Sequence, residues 1–380
     1  MWNFTSHAWN RKDDSEHSRE EVAQTEKTLN GAATQILKVF KCGEDWGHEA
    51  RLKSACGAKN NEIPSLNQLV KDHKATLKTR PVCRARQAPN GNLGELLCTL
   101  LDPFVQEADR DNRTEVKSTE ELCSDLKATN DRILEDGVQR GRFQRAGNLV
   151  VGSKDVEAFY PNMDVDLAAE EVKLEVEESN VDIEMDTLEA GLYIACTMTP
   201  EEIEEEGLTH VVHKRRYKTG PRPGLTCKAV VGGASQRLDD QAWIPPARKP
   251  GWRQKKEMAG CVLRSACKLV MQNHSYDNVI RKQSKGGAIG NKLTEKLGRL
   301  LMKRHDKRYL KLLKDLDIQT EIFDRYVDDE LEGLAAIEPG VRFEGGKLVM
   351  DENQVEEDKE LAADERTFRL LKDIGNSIFD

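Results

Sequence analysis

The chain has 380 residues, a formal net charge of −9, 38% hydrophobic residues and 33% charged ones, which allows two or three domains with a sizeable buried core and a soluble globular surface. Its longest apolar runs, such as "NLVV", are too short to cross a bilayer, and the start "MWNFTSHAWNRKDDSEHSREE" is too charged for a secretory signal. The nine cysteines form no CxxC pair, which argues for reduced thiols inside a cell and against a zinc knuckle or a disulfide framework.

In chain order, residues 1–61 are polar with one apolar patch, "AATQILKVF", and read as helical and partly disordered. Residues 62–105 mix extended pieces with a basic loop and end in a helix. "STEELCSDLKATNDRI" then opens on a capping box at Ser118 and Glu121. Residues 148–156 read as a buried strand with Asp155 near its end. An amphipathic helix follows, with Val165, Ala168, Val172 and Val176 on one face, and then a second with Met185, Leu188, Leu192 and Ala195 in register. Residues 200–260 are rich in proline, glycine and basic residues, and read as a long irregular insertion. Its part from 207 to 260 carries twelve Lys/Arg against three Asp/Glu, so an acidic chain can still offer one basic channel, or only a charged surface loop. A helix is expected over 258–273. A glycine-rich loop then opens a long helix whose stripe is Leu293, Leu297, Leu300 and Leu301. "GVRFEGGKLVM" reads as a hairpin on a Gly-Gly turn, and residues 351–365 as an acidic linker before a final amphipathic helix, "TFRLLKDIGNSIFD".

The stretch "TEIFDRYVDDELEGLAA" predicts strand, tight turn, strand, with Asp328 and Asp329 at the tip. Two adjacent carboxylates repel each other unless a cation lies between them, although a solvated turn can also hold such a pair. Asp155 adds a third carboxylate from a separate strand end. Three carboxylates from two strand ends can hold two Mg²⁺ ions about 4 Å apart, the arrangement used for nucleotidyl transfer.

The order of these pieces resembles that of reverse transcriptases, and most closely those of Penelope-like and related retroelements, over residues 62 to 380. "SKDVEAFYPNMD" is similar to motif A, "KQSKGGAIGNKLTEKL" to motif B and "RYVDD" to motif C, while "KDHK" and "TRPV" are similar to the fingers motifs. The resemblance implies an α+β fold of right-hand polymerase type, with a ferredoxin-like palm sheet carrying helices on one face. It implies fingers from 62–147 and from 258–290, where they return with the motif B loop, and a palm from 148–199 and 291–350. The region 1–61, the insertion 200–257 and the tail 351–380 stand outside them. Only 51 residues follow Asp329, so a C-terminally truncated fragment without a thumb is expected.

The resemblance further implies an RNA-directed DNA polymerase that adds dNTPs to a DNA or RNA primer on an RNA template. Asp155, Asp328 and Asp329 would be catalytic metal ligands for two Mg²⁺ ions, with Mn²⁺ able to substitute. Lys71, Lys74 and Arg80 would meet the triphosphate. Tyr160 would stack under the sugar and exclude a 2′-hydroxyl, or else be a core tyrosine beside Phe159. Gln283 would bond nucleotide or template, and Gly286, Gly287 and Gly290 would let backbone approach them, or simply form a flexible loop. Lys347 is a candidate general acid for pyrophosphate, and His73 reads as structural. Two rival readings are a catalytically idle, retroelement-derived nucleic-acid-binding protein and an RNA-dependent RNA polymerase. The intact carboxylate triad and the aromatic at 160 favour the DNA-making enzyme.

Overall fold

A computed structural model of the chain describes residues 9–10, 19–40, 66–71, 78–83, 89–111, 114–156, 159–197, 205, 229–231, 234–236, 252–276, 279–283, 286–287, 289–326 and 329–378. Helices and antiparallel strands are mixed along it, an α+β chain. It divides into two units, each discontinuous in sequence: Met1–Glu107 with Tyr160–Leu300, and Ala108–Phe159 with Leu301–Asp380. Among the described residues no helix is long and apolar enough to cross a membrane.

In the first unit, the two-residue strand β1 (Trp9–Asn10) precedes α1 (Arg19–Val39), which buries Leu29, Ala33, Ile36 and Val39. Strands β2 (Leu66–Lys71) and β3 (Lys78–Cys83) form an antiparallel hairpin. Helix α2 (Pro89–Asp111) follows and buries Leu93, Leu96, Leu97, Leu100 and Leu101.

The second unit includes α3 (Thr119–Asp136), whose N-cap at Ser118 forms as the sequence predicts, while the Glu121 carboxylate reaches one residue further back than a capping box does. The Glu121 N–H donates to Ser118 Oγ at 3.2 Å, and the Glu121 carboxylate accepts from the Lys117 N–H at 2.7 Å. Strand β4 (Gln144–Asp155) starts four residues earlier than the apolar run suggests. The reason is Gln144: its buried amide donates to the Gln319 and Ala335 carbonyls and accepts from the Gly141 and Gln319 N–H groups, so a polar side chain completes the pairing.

The chain then returns to the first unit, past the short α4 (Phe159–Asn162), to α5 (Val165–Glu178). The expected stripe of α5, Val165, Ala168, Val172 and Val176, is buried against α7 (Trp252–Gln272). Between them α6 (Thr187–Thr197) also packs on α7. Met185 is buried just before α6, while the side chains of Leu188, Leu192 and Ala195 lie outside the described residues.

Two expectations for this region are corrected. The insertion is not wholly irregular: Ala229–Val231 (β5) pairs with Ala234–Gln236 (β6), although most of 200–251 lies outside the described residues. Helix α7 begins at Trp252 rather than 258. Its polar first turns form because Lys256 is buried to 2% exposure, its ammonium 4.1 Å from the centre of the Trp252 ring and donating to Ser179 Oγ at 3.2 Å. Arg253 and Glu257 add an i,i+4 ion pair at 3.1 Å. Composition alone hides such a turn. Strands β7 (Asn273–Tyr276) and β8 (Val279–Gln283), with β1 on the outer edge of β8, are likewise short and polar, and periodicity does not show them.

Helix α8 (Lys292–Asp315) passes from the first unit into the second at residue 300, and its Leu293, Leu297, Leu300 and Leu301 are buried as expected. In the second unit, β9 (Thr320–Tyr326) and β10 (Asp329–Ile337) form the predicted hairpin, and the sheet order is β4-β10-β9. β11 (Val341–Glu344) and β12 (Lys347–Met350) turn through Gly345 and Gly346 at φ +56° and +78°, the left-handed backbone that a two-residue Gly-Gly hairpin turn uses. The acidic linker contains a short helix, α9 (Val355–Glu360). Its Asp358 is buried, accepting from the Gly340 N–H, Arg342 and Arg369, so one acid of this polar run is a core residue. Helix α10 (Ala363–Asn376) closes the unit, with Leu370, Leu371 and Ile374 in a core shared with Tyr309, Leu334 and Ile337.

Candidate metal and nucleotide site

The sheet register sets two rows of residues side by side. In the first row, Asp155 ends β4 and lies directly opposite Asp329, the first residue of β10, which in turn pairs with Tyr326, the last of β9. Residues so opposed are about 4.5–5.5 Å apart at Cα and share one face of the sheet. Two residues, 327 and 328, connect Tyr326 to Asp329. Positions 155 and 329 therefore meet at the sheet end where β9 stops and β10 begins. Asp329 and Tyr326 are exposed there, as are Ser153 and Val151 further along β4. Asp328 and the side chain of Asp155 lie outside the described residues.

The second row, Lys154–Glu330–Arg325, falls on the opposite face, and that face is closed. Arg325 Nη2 donates to Glu330 across the hairpin at 2.6 Å, and the guanidinium grips both oxygens of Asp306 on α8, with Nε at 3.1 and 2.8 Å. Thr114 Oγ1 donates to Asp306 at 3.0 Å. The Arg325 backbone is tied as well: its N–H donates to the Thr114 carbonyl at 2.8 Å, and its carbonyl accepts from the Val116 N–H at 2.9 Å. Lys154 reaches Glu330 at 3.3 Å, Glu332, and the Tyr309 hydroxyl at 3.2 Å.

The charges respond to this setting. Burial pushes Glu332 up, against the pull of Lys154, while Tyr309 is pushed up by burial and by Glu332. Burial would also raise Asp306, but hydrogen bonds from His305 and Arg325 reverse the sign and hold it below the ordinary carboxylate value. None of these second-row residues was singled out from sequence. The signal was present in "DELE", where Glu330 and Glu332, two apart, share one face of a strand that is expected to be half buried and so require partners there.

The first unit holds the other candidates. Tyr160 is half-buried in α4, and its carbonyl accepts the Gly287 N–H at 2.8 Å, while the Gly286 N–H donates to the Met163 carbonyl at 2.8 Å. Gly286 is at φ +80°, and a Cβ on Gly287 would stand 2.3 Å from Thr294 Cγ2 and 2.8 Å from Met271 Cε. Internal docking onto the segment around Tyr160 thus already demands these two glycines. Gly290 is exposed, at φ +102°, just before α8. Lys71 ends β2 opposite Lys78, Arg80 lies in β3 opposite Leu69, and Gln283 ends β8 opposite Trp9; nothing is described of their side chains. Lys74 and His73 fall outside the described residues. Lys347 opens β12, exposed and opposite Glu344 in the second unit.

Neither a protein-family profile nor a curated protein sequence matches the chain. Solved structures do. Telomerase of Candida tropicalis, truncated from its C-terminal domain, matches at 12% identity with a TM-score of 0.37, over 71% of this chain and 43% of that one. Apo telomerase of the same organism matches at 13% and 0.38, over 72% and 39%. Telomerase of Candida albicans in complex with a fragment of telomeric RNA matches at 12% and 0.33, over 72% and 38%. The chain therefore spans about two fifths of the length of these structures.

Among the described residues no group of three or more metal-ligating side chains occurs. An exposed carboxylate at 329, opposed by position 155 and preceded by Asp328, offers hard oxygen donors only. That fits Mg²⁺ or Mn²⁺ and does not suit a softer metal.

Proposed function

We propose that the chain is an RNA-directed DNA polymerase of reverse-transcriptase type, from a retroelement, joining dNTPs to a primer 3′-hydroxyl on an RNA template. One observation carries this reading: Asp155 and Asp329, 174 positions apart in sequence, are direct cross-strand partners at the sheet end where only residues 327 and 328 separate β9 from β10 in sequence. Like charges placed directly opposite are unfavourable in a sheet. A site that gathers them at an exposed end is suited to a divalent cation.

On this reading Asp155, Asp328 and Asp329 would hold Mg²⁺. The metal, when bound, would make the 3′-hydroxyl a better nucleophile and neutralise charge on the departing pyrophosphate. The chain's own residues do the rest. Tyr160 would exclude a 2′-hydroxyl by bulk, Lys71, Lys74 and Arg80 would hold phosphate oxygens, Gln283 would bond nucleotide or template, and Gly286, Gly287 and Gly290 would let backbone approach them. Lys347 donates a proton to pyrophosphate.

The test is Mg²⁺-dependent extension of oligo(dT) on poly(rA). Asp329→Asn is expected to abolish it, and retained extension would remove Asp329 from the site. In the same assay Tyr160→Ala should raise ribonucleotide use relative to deoxyribonucleotide by about tenfold or more, since loss of bulk in a pocket is worth about 1–3 kcal/mol of discrimination. An unchanged ratio would leave Tyr160 a packing residue.

A further inference from the structure

We propose that the closed-face row Lys154–Glu330–Arg325, buttressed by Asp306, is a charge-paired brace that sets the register of the Asp155–Asp329 row, and that Arg325 is its positioning residue. The inference rests on the reading of that first row as a metal site.

The strand β10 opens "DELE", and this pattern specifies its own pairing poorly. A slip of two residues keeps every side chain on its face. It would set Leu331 opposite Asp155 in place of Asp329, and Glu332 opposite Lys154 in place of Glu330. Lys154 does not resist such a slip, because it already reaches both glutamates. Arg325 does resist it. Its guanidinium bonds Glu330 and, through Nε and Nη2, Asp306 on a helix outside the sheet, while its backbone is hydrogen-bonded to Thr114 and Val116. Residues 327 and 328 alone link β9 to β10, which sets Glu330 opposite Arg325, so a hairpin whose Arg325 is held to Asp306, Thr114 and Val116 cannot slide along β4, and Asp329 stays opposite Asp155.

The cost also points to a positioning role. Arg325 is 2% exposed, Asp306 0% and Glu330 6%, and charges so buried are often replaceable by apolar residues without loss of stability. A brace kept for register would show its worth in the metal site rather than in the folding midpoint.

The experiment uses the full chain and Mn²⁺ alone as probe, bound metal being counted from the loss of the free-ion paramagnetic resonance signal. The double variant Arg325→Met/Asp306→Leu leaves net charge unchanged and leaves Glu330 its Lys154 partner. Glu330→Gln, of the same shape, is the second variant. Each is expected to keep its far-ultraviolet dichroism and to bind Mn²⁺ about tenfold more weakly, the usual scale for groups that orient metal ligands. Half-saturating Mg²⁺ for extension should rise by a similar factor, a quantity that a smaller folded fraction does not move. A folded variant with wild-type Mn²⁺ affinity overturns the proposal, and so does failure of both to fold, which would make the row a folding element. If the wild type binds no Mn²⁺, or Asp329→Asn binds it equally well, the metal-site reading itself falls and this inference with it.

Discussion

Lys303 on α8 shows how a single buried charge reports on its surroundings. Burial pushes its amine down to about 8 from 10.5, against the opposing pull of Asp306, and Glu115 is its ion partner at 3.5 Å. The folded protein thus gives up this proton at lower pH than the unfolded chain. Between pH 8 and 10.5 the unfolded state holds more protons, so stability rises with pH through that window. Below it, the folded protein carries a charge that burial penalises. Between pH 7 and pH 10 the urea midpoint of the wild type should therefore gain on that of Lys303→Met, whatever the gap at pH 7 owes to the Glu115 carboxylate left behind. A gap of constant size across this range would show that the amine's charge is not what the fold penalises.

At the scale of elements, the sheet and its last helix are keyed together by an absence. A Cβ on Gly152 would lie 2.3–2.9 Å from three ring carbons of Phe368, so α10 can rest on β4 only because position 152 has no side chain. Gly152→Val should destabilise by about 1–3 kcal/mol through overpacking. Phe368→Ala should cost stability alone but less in the Gly152→Val background, and the coupling in a double-mutant cycle measures the key. Strict additivity of the two changes would place the ring elsewhere in solution. This contact had no signal in the sequence, since nothing pairs 152 with 368. What was legible were patterns whose cause is local. The stripes of α5 and α8, the N-cap at Ser118 and the Gly-Gly turn each follow from neighbours within a few positions. The early start of α7 and the helix α9 escaped because Lys256 and Asp358 are polar residues used as core.

Across the whole molecule the hardest feature to read is the one that carries the proposed chemistry. Motif order pointed to Asp155, Asp328 and Asp329, and the register sets the first and last opposite each other. The Arg325–Asp306–Glu330 network escaped because its partners come from β9, α8 and β10, and only the fold brings them together. Most of the first unit lies in sequence between β4 and β10, so the second unit's sheet closes late, through contacts of long separation, the kind that slow folding. Alternation also decides which genetic changes this site can survive. In β4 a substitution at exposed Ser153 disturbs one position. Deletion of that same codon shifts Gly152 and all before it by one place against Lys154 and Asp155. Either the acid row or the Phe368 contact must then turn to the wrong face. Near this site, drift can change the letters of the strand far more freely than their number.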